Sequence, residues 1–337
     1  MKQYKWAIAG SGWIGNEMAQ VLKQTGHEIT GIFSTDTAGA AKAASQHGIL
    51  QIYSSLEDML EKSGADILYI GTPNEVHEDQ TLAALKAGLH VFCEKPLGLN
   101  DRQFSRCMEL AEEKDLILMD GTTLLHMPLY REMQKILDAG ALGKLKMIQV
   151  SYGIRKPFDP ESRFYSLDLG GGALMDIGLY AISFLCLYLD GLPETVKTCV
   201  LRASTGVDDT SPIIVQNDRG QIGMISLSLN CMMPEQAILC LEKGYILVSG
   251  LQRADRVING FPRADHAVIH CASGDTEDIY CGDAAKALEY EVAEMEEAIE
   301  QKRCPEGLLR ARAAMKILTE IRKQWKIRFP SEKDQDC

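Results

Sequence analysis

The stretch Tyr4-Lys5-Trp6-Ala7-Ile8-Ala9-Gly10-Ser11-Gly12-Trp13-Ile14-Gly15 decides how this chain folds. Tyr4–Ala9 reads as a short, largely apolar strand. Three glycines follow in the spacing G-x-G-x-x-G. From Gly15 to Thr25, Met18, Ala19, Val21 and Leu22 recur at helical period. Strand, glycine turn and helix in this order form a dinucleotide fingerprint. Gly10 permits the tight turn, Gly12 lets the backbone approach a pyrophosphate, and Gly15 lets the helix pack on the strand. The helix N-terminus then presents backbone N–H groups to the phosphates. The residues of the loop, Gly10, Ser11, Gly12, Trp13, Ile14 and Gly15, are the first cofactor-binding candidates.

Outward from this motif, strands and helices alternate. Strands read at Glu28–Phe33, Asp66–Ile70, Leu89–Cys93 and Leu116–Met119. Helices read at Thr37–His47, Leu56–Lys62, Val76–Ala87 and Asp101–Lys114. Such alternation predicts α/β architecture, a parallel sheet with helices on both faces. After the helix Leu129–Ala139 the pattern changes. Strand-like segments at Leu145–Tyr152, Thr195–Ala203, Ser211–Gln216, Ile222–Leu229, Ala237–Leu241 and Tyr245–Val248 surround one helix, about Ala173–Leu189. Helices at Ala284–Gln301 and Leu308–Trp325 close the chain. The expected organisation is a dinucleotide-binding domain over residues 1–122. A substrate-binding and oligomerisation α+β domain, with a mostly antiparallel sheet, follows over residues 123–337.

The 337 residues, 46% apolar and 24% charged, are ordinary for a globular protein. A net charge of −12 repels phosphate backbones, which argues against nucleic acid as a partner. Ten cysteines are scattered without a C-x-x-C pair, as expected of thiols in a reducing cytoplasm. His266 and His270 flank a β-like segment beside Cys271, and no metal site is expected there. The longest apolar run, Ile177–Leu189, falls short of the roughly 20 residues of a membrane span. No signal peptide is visible at the N-terminus.

Further ligand candidates stand at predicted strand ends, where open α/β sheets bind ligands. Ser34 and Thr35 occupy the position where NAD enzymes usually carry a carboxylate for the ribose. Asp36 faces the ribose or caps the next helix. No carboxylate there would repel a 2′-phosphate, and no arginine there would welcome one. The reading leans to NADP, with NAD still open. Thr72, Pro73 and Asn74 follow Gly71, with His77 shortly after, and Asn74 and His77 can hydrogen-bond a cofactor passing nearby. Glu94-Lys95-Pro96 follows the strand Leu89–Cys93 and puts a lysine at the same edge.

Taken with Gly170-Gly171-Gly172-Ala173-Leu174-Met175-Asp176-Ile177-Gly178-Leu179-Tyr180, these motifs resemble the Gfo/Idh/MocA oxidoreductases over nearly the whole chain. The resemblance implies a Rossmann domain followed by an open-faced, mostly antiparallel sheet. It also implies NAD(P)-linked hydride transfer at a sugar, polyol or dihydrodiol-type alcohol carbon. Tyr180 in place of the family's frequent histidine is similar to the branch of dihydrodiol dehydrogenases, glucose-fructose oxidoreductase and xylose dehydrogenases. The segment Thr205-Gly206-Val207-Asp208-Asp209 is similar to that branch as well. On this basis Lys95, Asp176 and Tyr180 are the catalytic candidates. Tyr180 relays the proton, Lys95 orients and stabilises the oxyanion, and Asp176 orients the substrate hydroxyl or the lysine. Glu94 and Lys95 join the cofactor-binding set. Leu125 stands where the family usually has an arginine, which leaves the substrate open. Two other activities exist within such a fold: glycoside hydrolysis through transient oxidation on tightly bound NAD, and non-enzymatic NAD(P) sensing. A sheet with one open apolar face predicts a homodimer or homotetramer.

Overall fold

The computed structural model describes residues 3–252, 257–258 and 260–332. The first third of the chain runs β1 (Lys5–Ala9), α1 (Trp13–Gln24), β2 (Glu28–Phe33), α2 (Thr37–His47), β3 (Ile52–Tyr53), α3 (Leu56–Lys62), β4 (Ile67–Ile70), α4 (His77–Lys86), β5 (His90–Cys93), α5 (Asp101–Glu113) and β6 (Leu118–Asp120). Local chemistry starts the helices where the sequence places them. Ser55 Oγ accepts the Asp58 N–H (3.1 Å) and Asn100 Oδ1 accepts the Gln103 N–H (2.9 Å). The strands form one parallel sheet in the order β3-β2-β1-β4-β5-β6. β4 is buried at every residue, as a strand covered by helices on both faces must be.

The second part runs α6 (Pro128–Asp138), β7 (Leu145–Gly153), a π-helical turn (Leu174–Gly178) leading into α7 (Leu179–Tyr188), β8 (Thr195–Thr198), β9 (Leu201–Arg202), β10 (Asp208–Gln216), β11 (Ile222–Ser228), β12 (Gln236–Leu241), β13 (Gly244–Ser249), β14 (Leu251–Gln252), β15 (Val257–Ile258), β16 (His266–Cys271), β17 (Thr276–Tyr280), α8 (Ala287–Gln301) and α9 (Glu306–Trp325). A mixed sheet runs β17-β16-β13-β12-β7-β11-β10-β8, with β9 also on β10. Only the β7–β11 pair in it is parallel among the described residues. The expected strand Thr195–Ala203 is split into β8 and β9. The expected segments from Leu145 to Val248 otherwise lie in strands β7 and β10–β13. Burial alternates along β10 and β11, so one face of the sheet is covered and the other is open. α7, buried almost all round, lies on the covered face. Added Cβ atoms at Gly178 and Gly223 would crowd Leu227 and Leu185 respectively.

The chain packs as two compact units, Met1–Gly121 with Leu288–Arg312, and Thr122–Ala287 with Ala313–Cys337. A single cut near residue 122 therefore omits a helix from the first unit. Leu288, Val292, Met295 and Ala298 of α8 join Trp6, Ile8, Met18 and Phe92 in one core cluster. Glu296 of the same helix accepts from Trp6 Nε1 (3.3 Å) and pairs with His27 (3.0 Å). Helical periodicity shows that α8 has an apolar face; it does not show which sheet that face covers. Among the described residues, no helix is long and apolar enough to cross a membrane.

Candidate active site

In the first unit the sheet extends one hydrogen bond past β1, β4, β5 and β6. The N–H groups of Gly10, Gly71, Glu94 and Gly121 donate to the carbonyls of Phe33, Ala9, Ile70 and Cys93, at 2.7–2.8 Å. Residues 10, 71, 94 and 121 thus stand in a row along the carboxyl edge. β1 and β4 are neighbours, but the chain leaves them toward opposite ends of the sheet. That is the switch point where open α/β sheets bind ligands. Gly10 has φ +109°, and a Cβ there would collide with the Gly71 carbonyl. The two loops approach too closely for any side chain.

The glycine loop is shaped to receive an anion. α1 starts after Gly12 with no side-chain cap and no acid in its first turn. Nothing lies within 4 Å of where a Gly12 Cβ would be. Asn16 Nδ2 donates to the carbonyls of Ser11 (2.8 Å) and Gly12 (3.0 Å), and its Oδ1 lies 3.2 Å from His47 Nε2. With those carbonyls held back, the helix's first N–H groups form a positive, uncapped end suited to a pyrophosphate. Trp13 is exposed and Ile14 half-buried beside this opening.

Ser34 Oγ pairs with Ser11 Oγ at 2.9 Å, which ties the end of β2 to the glycine loop. Thr35 is exposed. Asp36 caps α2, its Oδ1 accepting the Gly39 N–H (2.9 Å). Thr72 Oγ1 donates to Gln80 Oε1 (2.8 Å), Pro73 is exposed, and Asn74 opens a short 3-10 turn. His77 is buried, not exposed at a helix start. Its Nδ1 lies 2.8 Å from the Pro96 carbonyl and its Nε2 2.7 Å from the Thr72 carbonyl. Both neighbours only accept, so a neutral imidazole donates to one and only the imidazolium to both. Burial pulls its pKa below the ordinary value against the pull of the two carbonyls. The ring lies between the Thr72 and Pro96 carbonyls, and in its neutral form one of them accepts its single N–H.

Lys95 is half-buried between three anchors. Glu94 turns back toward the sheet, where its Oε1 accepts from Tyr69 Oη (2.7 Å) and its Oε2 from the Lys95 N–H (3.3 Å). Burial, then the Glu94 charge, pushes the Tyr69 hydroxyl well up, so it stays a donor. Asp120 Oδ2 accepts the Leu97 N–H (3.2 Å), and His77 holds Pro96. The lysine backbone is fixed on both sides.

In the second unit Asp176 lies in the π-helical turn, a distortion frequent at functional sites, and Tyr180 opens α7 just beyond it. Both are half-buried. Both bear electrostatically on Tyr152 of β7. Burial raises the Tyr152 hydroxyl's pKa, and the charges of Tyr180, Glu235 and Asp176 raise it further, while Arg263 opposes them. Arg163 Nη1 lies 3.5 Å from Asp176 Oδ1. The Arg163 guanidinium sits 4.3 Å and the Lys156 ammonium 4.6 Å from the centroid of the Phe164 ring. Leu125 and His126 are buried, the former in a 3-10 turn. His266 bonds Asp278 (2.6 Å), and His270 stacks on Tyr245, so each histidine of β16 has its own partner.

Residues 4–122 match the oxidoreductase family model described as an NAD-binding Rossmann fold, and residues 130–247 match the GFO/IDH/MocA C-terminal domain. The trans-1,2-dihydrobenzene-1,2-diol dehydrogenase of Xenopus tropicalis is 31% identical over 248 residues, covering 72% of this chain and 74% of that one. The chain belongs to the Gfo/Idh/MocA oxidoreductase family. The Bos taurus enzyme of the same name is 26% identical over 343 residues, 98% of this chain and 99% of its own. Two solved structures share the fold. KijD10, a 3-ketoreductase from Actinomadura kijaniata in complex with NADP and TDP-benzene, has a TM-score of 0.82 at 22% identity, covering 96% of this chain and 98% of that one. Levoglucosan dehydrogenase with NADH and levoglucosan has a TM-score of 0.81 at 18% identity, covering 97% and 98%.

As a Gfo/Idh/MocA member, the chain is an NAD(P)-dependent oxidoreductase acting on CH–OH groups. Its cofactor loop fits that assignment by its uncapped helix, open Gly12 and the Gly10–Gly71 approach. Several residues of this family member escape a reading of motifs. Asn16 and Tyr69 act on backbone and carboxylate from within helix and strand. Tyr152 and Arg163 reach Asp176 from segments with no fixed spacing to it. Only the tertiary fold assembles them.

Proposed function

We propose that this chain oxidises or reduces an alcohol carbon of a sugar, polyol or dihydrodiol-type substrate, with Lys95 and Tyr180 handling the proton. The observation that carries the proposal is the placement of Asp176 in the π-helical turn, beside Arg163, with Tyr180 just beyond it, in a chain that also holds the Lys95 backbone at the carboxyl edge of its cofactor sheet. Bound NAD(P) supplies the hydride acceptor or donor. Lys95 stabilises the substrate oxygen as it gains or loses its proton. Tyr180 exchanges that proton. Asp176, paired with Arg163, orients a neighbouring hydroxyl. Glu94 positions the Lys95 backbone through Tyr69.

The names of the relatives favour dihydrodiol and sugar alcohols over simple alcohols. The cofactor of this reading is NADP. The carboxylate nearest the end of β2, Asp36, is committed to capping α2, and Ser34 and Thr35 offer hydroxyls in place of an acid. The test is a titration with NADPH and NADH, followed by a screen of sugars, polyols and a trans-dihydrodiol. Tighter NADPH binding and NADP reduction by at least one such alcohol are expected. Cofactor binding without turnover on any alcohol would establish a sensor, and glycoside cleavage without added cofactor a glycosidase. Either result would remove the proposal.

A further inference from the structure

Asp208 is a buried carboxylate, 1% exposed, that the chemistry above does not use. It stands at the first residue of β10, 34 positions from the residue whose backbone it binds. Its Oδ2 accepts the Leu174 N–H at 2.7 Å, at the first residue of the π-helical turn. Neither the π-helical turn nor α7 has a side-chain cap of its own. Gly172, two residues before that turn, has φ +118°, and a Cβ there would collide with Asp208 Oδ1. Gly172 therefore lets the turn close onto this carboxylate, while the N–H groups of Gly170, Gly171 and Gly172 bond the carbonyls of Leu167, Ser166 and Phe164. Asp176 lies two residues beyond Leu174, and Tyr180 four beyond Asp176.

We infer that Asp208 is a positioning residue for the reaction: as a remote cap on Leu174 it sets where the π-helical turn presents Asp176 and Tyr180. An orphan N–H at the start of a buried helical segment needs an acceptor. Here the acceptor comes from a strand of the sheet instead of the preceding loop. The cap therefore locks the segment carrying Asp176 and Tyr180 to β10, and through β10 to β11 and β7, which carries Tyr152. The groups facing the carboxylate are the Leu174 N–H, its own backbone N–H, Arg322 of α9, and its neighbour Asp209. Arg322 is itself paired with Glu332 at 2.8 Å, so the carboxylate does not have it to itself. Burial pushes the Asp208 carboxyl up to about 7, against those two N–H groups and Arg322.

The inference rests on the functional reading for its kinetic arm and stands apart from it in its structural arm. The variants are Asp208→Asn, which keeps an acceptor oxygen, and Asp208→Ala, which does not. In Asp208→Ala, amides of residues 174–178 should exchange with deuterium at least about tenfold faster, with the cofactor unit unchanged. On an alcohol that the wild type oxidises, kcat should fall about 30- to 100-fold at unchanged cofactor affinity, as misplaced reacting groups predict. Asp208→Asn should keep the exchange pattern, stay within about fivefold of the wild-type kcat, and lose any pH step in kcat near neutrality. Unchanged exchange in Asp208→Ala, or an Asn variant as impaired as the Ala variant, would overturn the inference. If Asp208→Ala does not fold, Asp208→Asn decides: retained exchange and kcat support the cap, and lost protection at residues 174–178 sinks it. A wild type that turns over no alcohol would defeat the functional reading alone, and exchange would still judge Asp208.

Discussion

At the scale of single residues, Gly10 carries the tightest constraint in the cofactor unit. Its φ of +109° lies in a region that L side chains rarely adopt, and its missing Cβ is what lets the β1 and β4 loops touch. Gly10→Ala should part these loops. The expected outcome is at least about a tenfold loss of NAD(P)H affinity, with thermal stability lowered by about 1–3 kcal/mol. Fluorescence titration and thermal unfolding would check both, and wild-type affinity in the variant would refute the close-approach argument. Gly10 and Gly15 were legible because each allows a close backbone approach, and Gly12 because it leaves open space before the helix. Lys95 was legible because it follows a strand. His77 was half legible: its spacing after Gly71 marked it out, but its burial and its two carbonyl partners depend on the turn at Pro96, 19 residues away. Asp36 shows the converse. Its cap on α2 was one of two local options, and the structure shows that cap made through Oδ1.

At the scale of elements, strand and helix periods predicted β1, β2, β4, β5 and β6 and their helices, because each is set by local apolar pattern and by caps such as Ser55 and Asn100, whereas the two-residue β3 carries too little pattern to be read. The π-helical turn was not predictable that way. Residues 173–189 read as one continuous helix, and the carboxylate that accepts the Leu174 N–H at the start of the distortion comes from a distant strand. The same carboxylate gives a pH prediction. Its unfolded value is about 4 and its folded value about 7, so the folded state binds the extra proton between them. That stabilisation is complete below about pH 4 and is lost as pH rises through about 7. Comparing Asp208→Asn with wild type at about pH 5 and pH 8 cancels the altered hydrogen bond, which is present in both measurements. Relative to wild type, the Asn variant should gain about 2–4 kcal/mol on going from the lower to the higher pH. A pH-independent difference in unfolding free energy would show that Asp208 does not titrate as described.

At the scale of the whole molecule, the second unit's sheet has one helix-covered face and one open face. Ile214 pairs with Met224 across β10 and β11, and register carries their row through Gln149 and Ile238 to Leu247. Ile214, Met224 and Tyr245 are each at least 40% exposed on it. An apolar sheet face of this kind calls for a cover, and a second copy of the chain presents a matching one. Sedimentation at micromolar concentration should give a dimer or a dimer of dimers. Ile214→Lys together with Met224→Lys should shift it toward monomer, whereas a monomeric wild type would contradict the pairing. The order of the two architectures was legible because the change from alternating to strand-rich pattern is local. The return of α8 to the first unit's core was not, since an apolar helix face does not name its sheet.

The central claim is that this Gfo/Idh/MocA member couples NAD(P)-linked hydride transfer to proton exchange by Tyr180 at a substrate oxygen that Lys95 stabilises. The most direct test is steady-state kinetics of Lys95→Ala on an alcohol that the wild type oxidises, with NAD(P)H affinity measured alongside. The account predicts that kcat falls by about 10²- to 10⁴-fold while cofactor affinity changes far less. A loss of only a few-fold in kcat would contradict it and remove Lys95 from the chemistry.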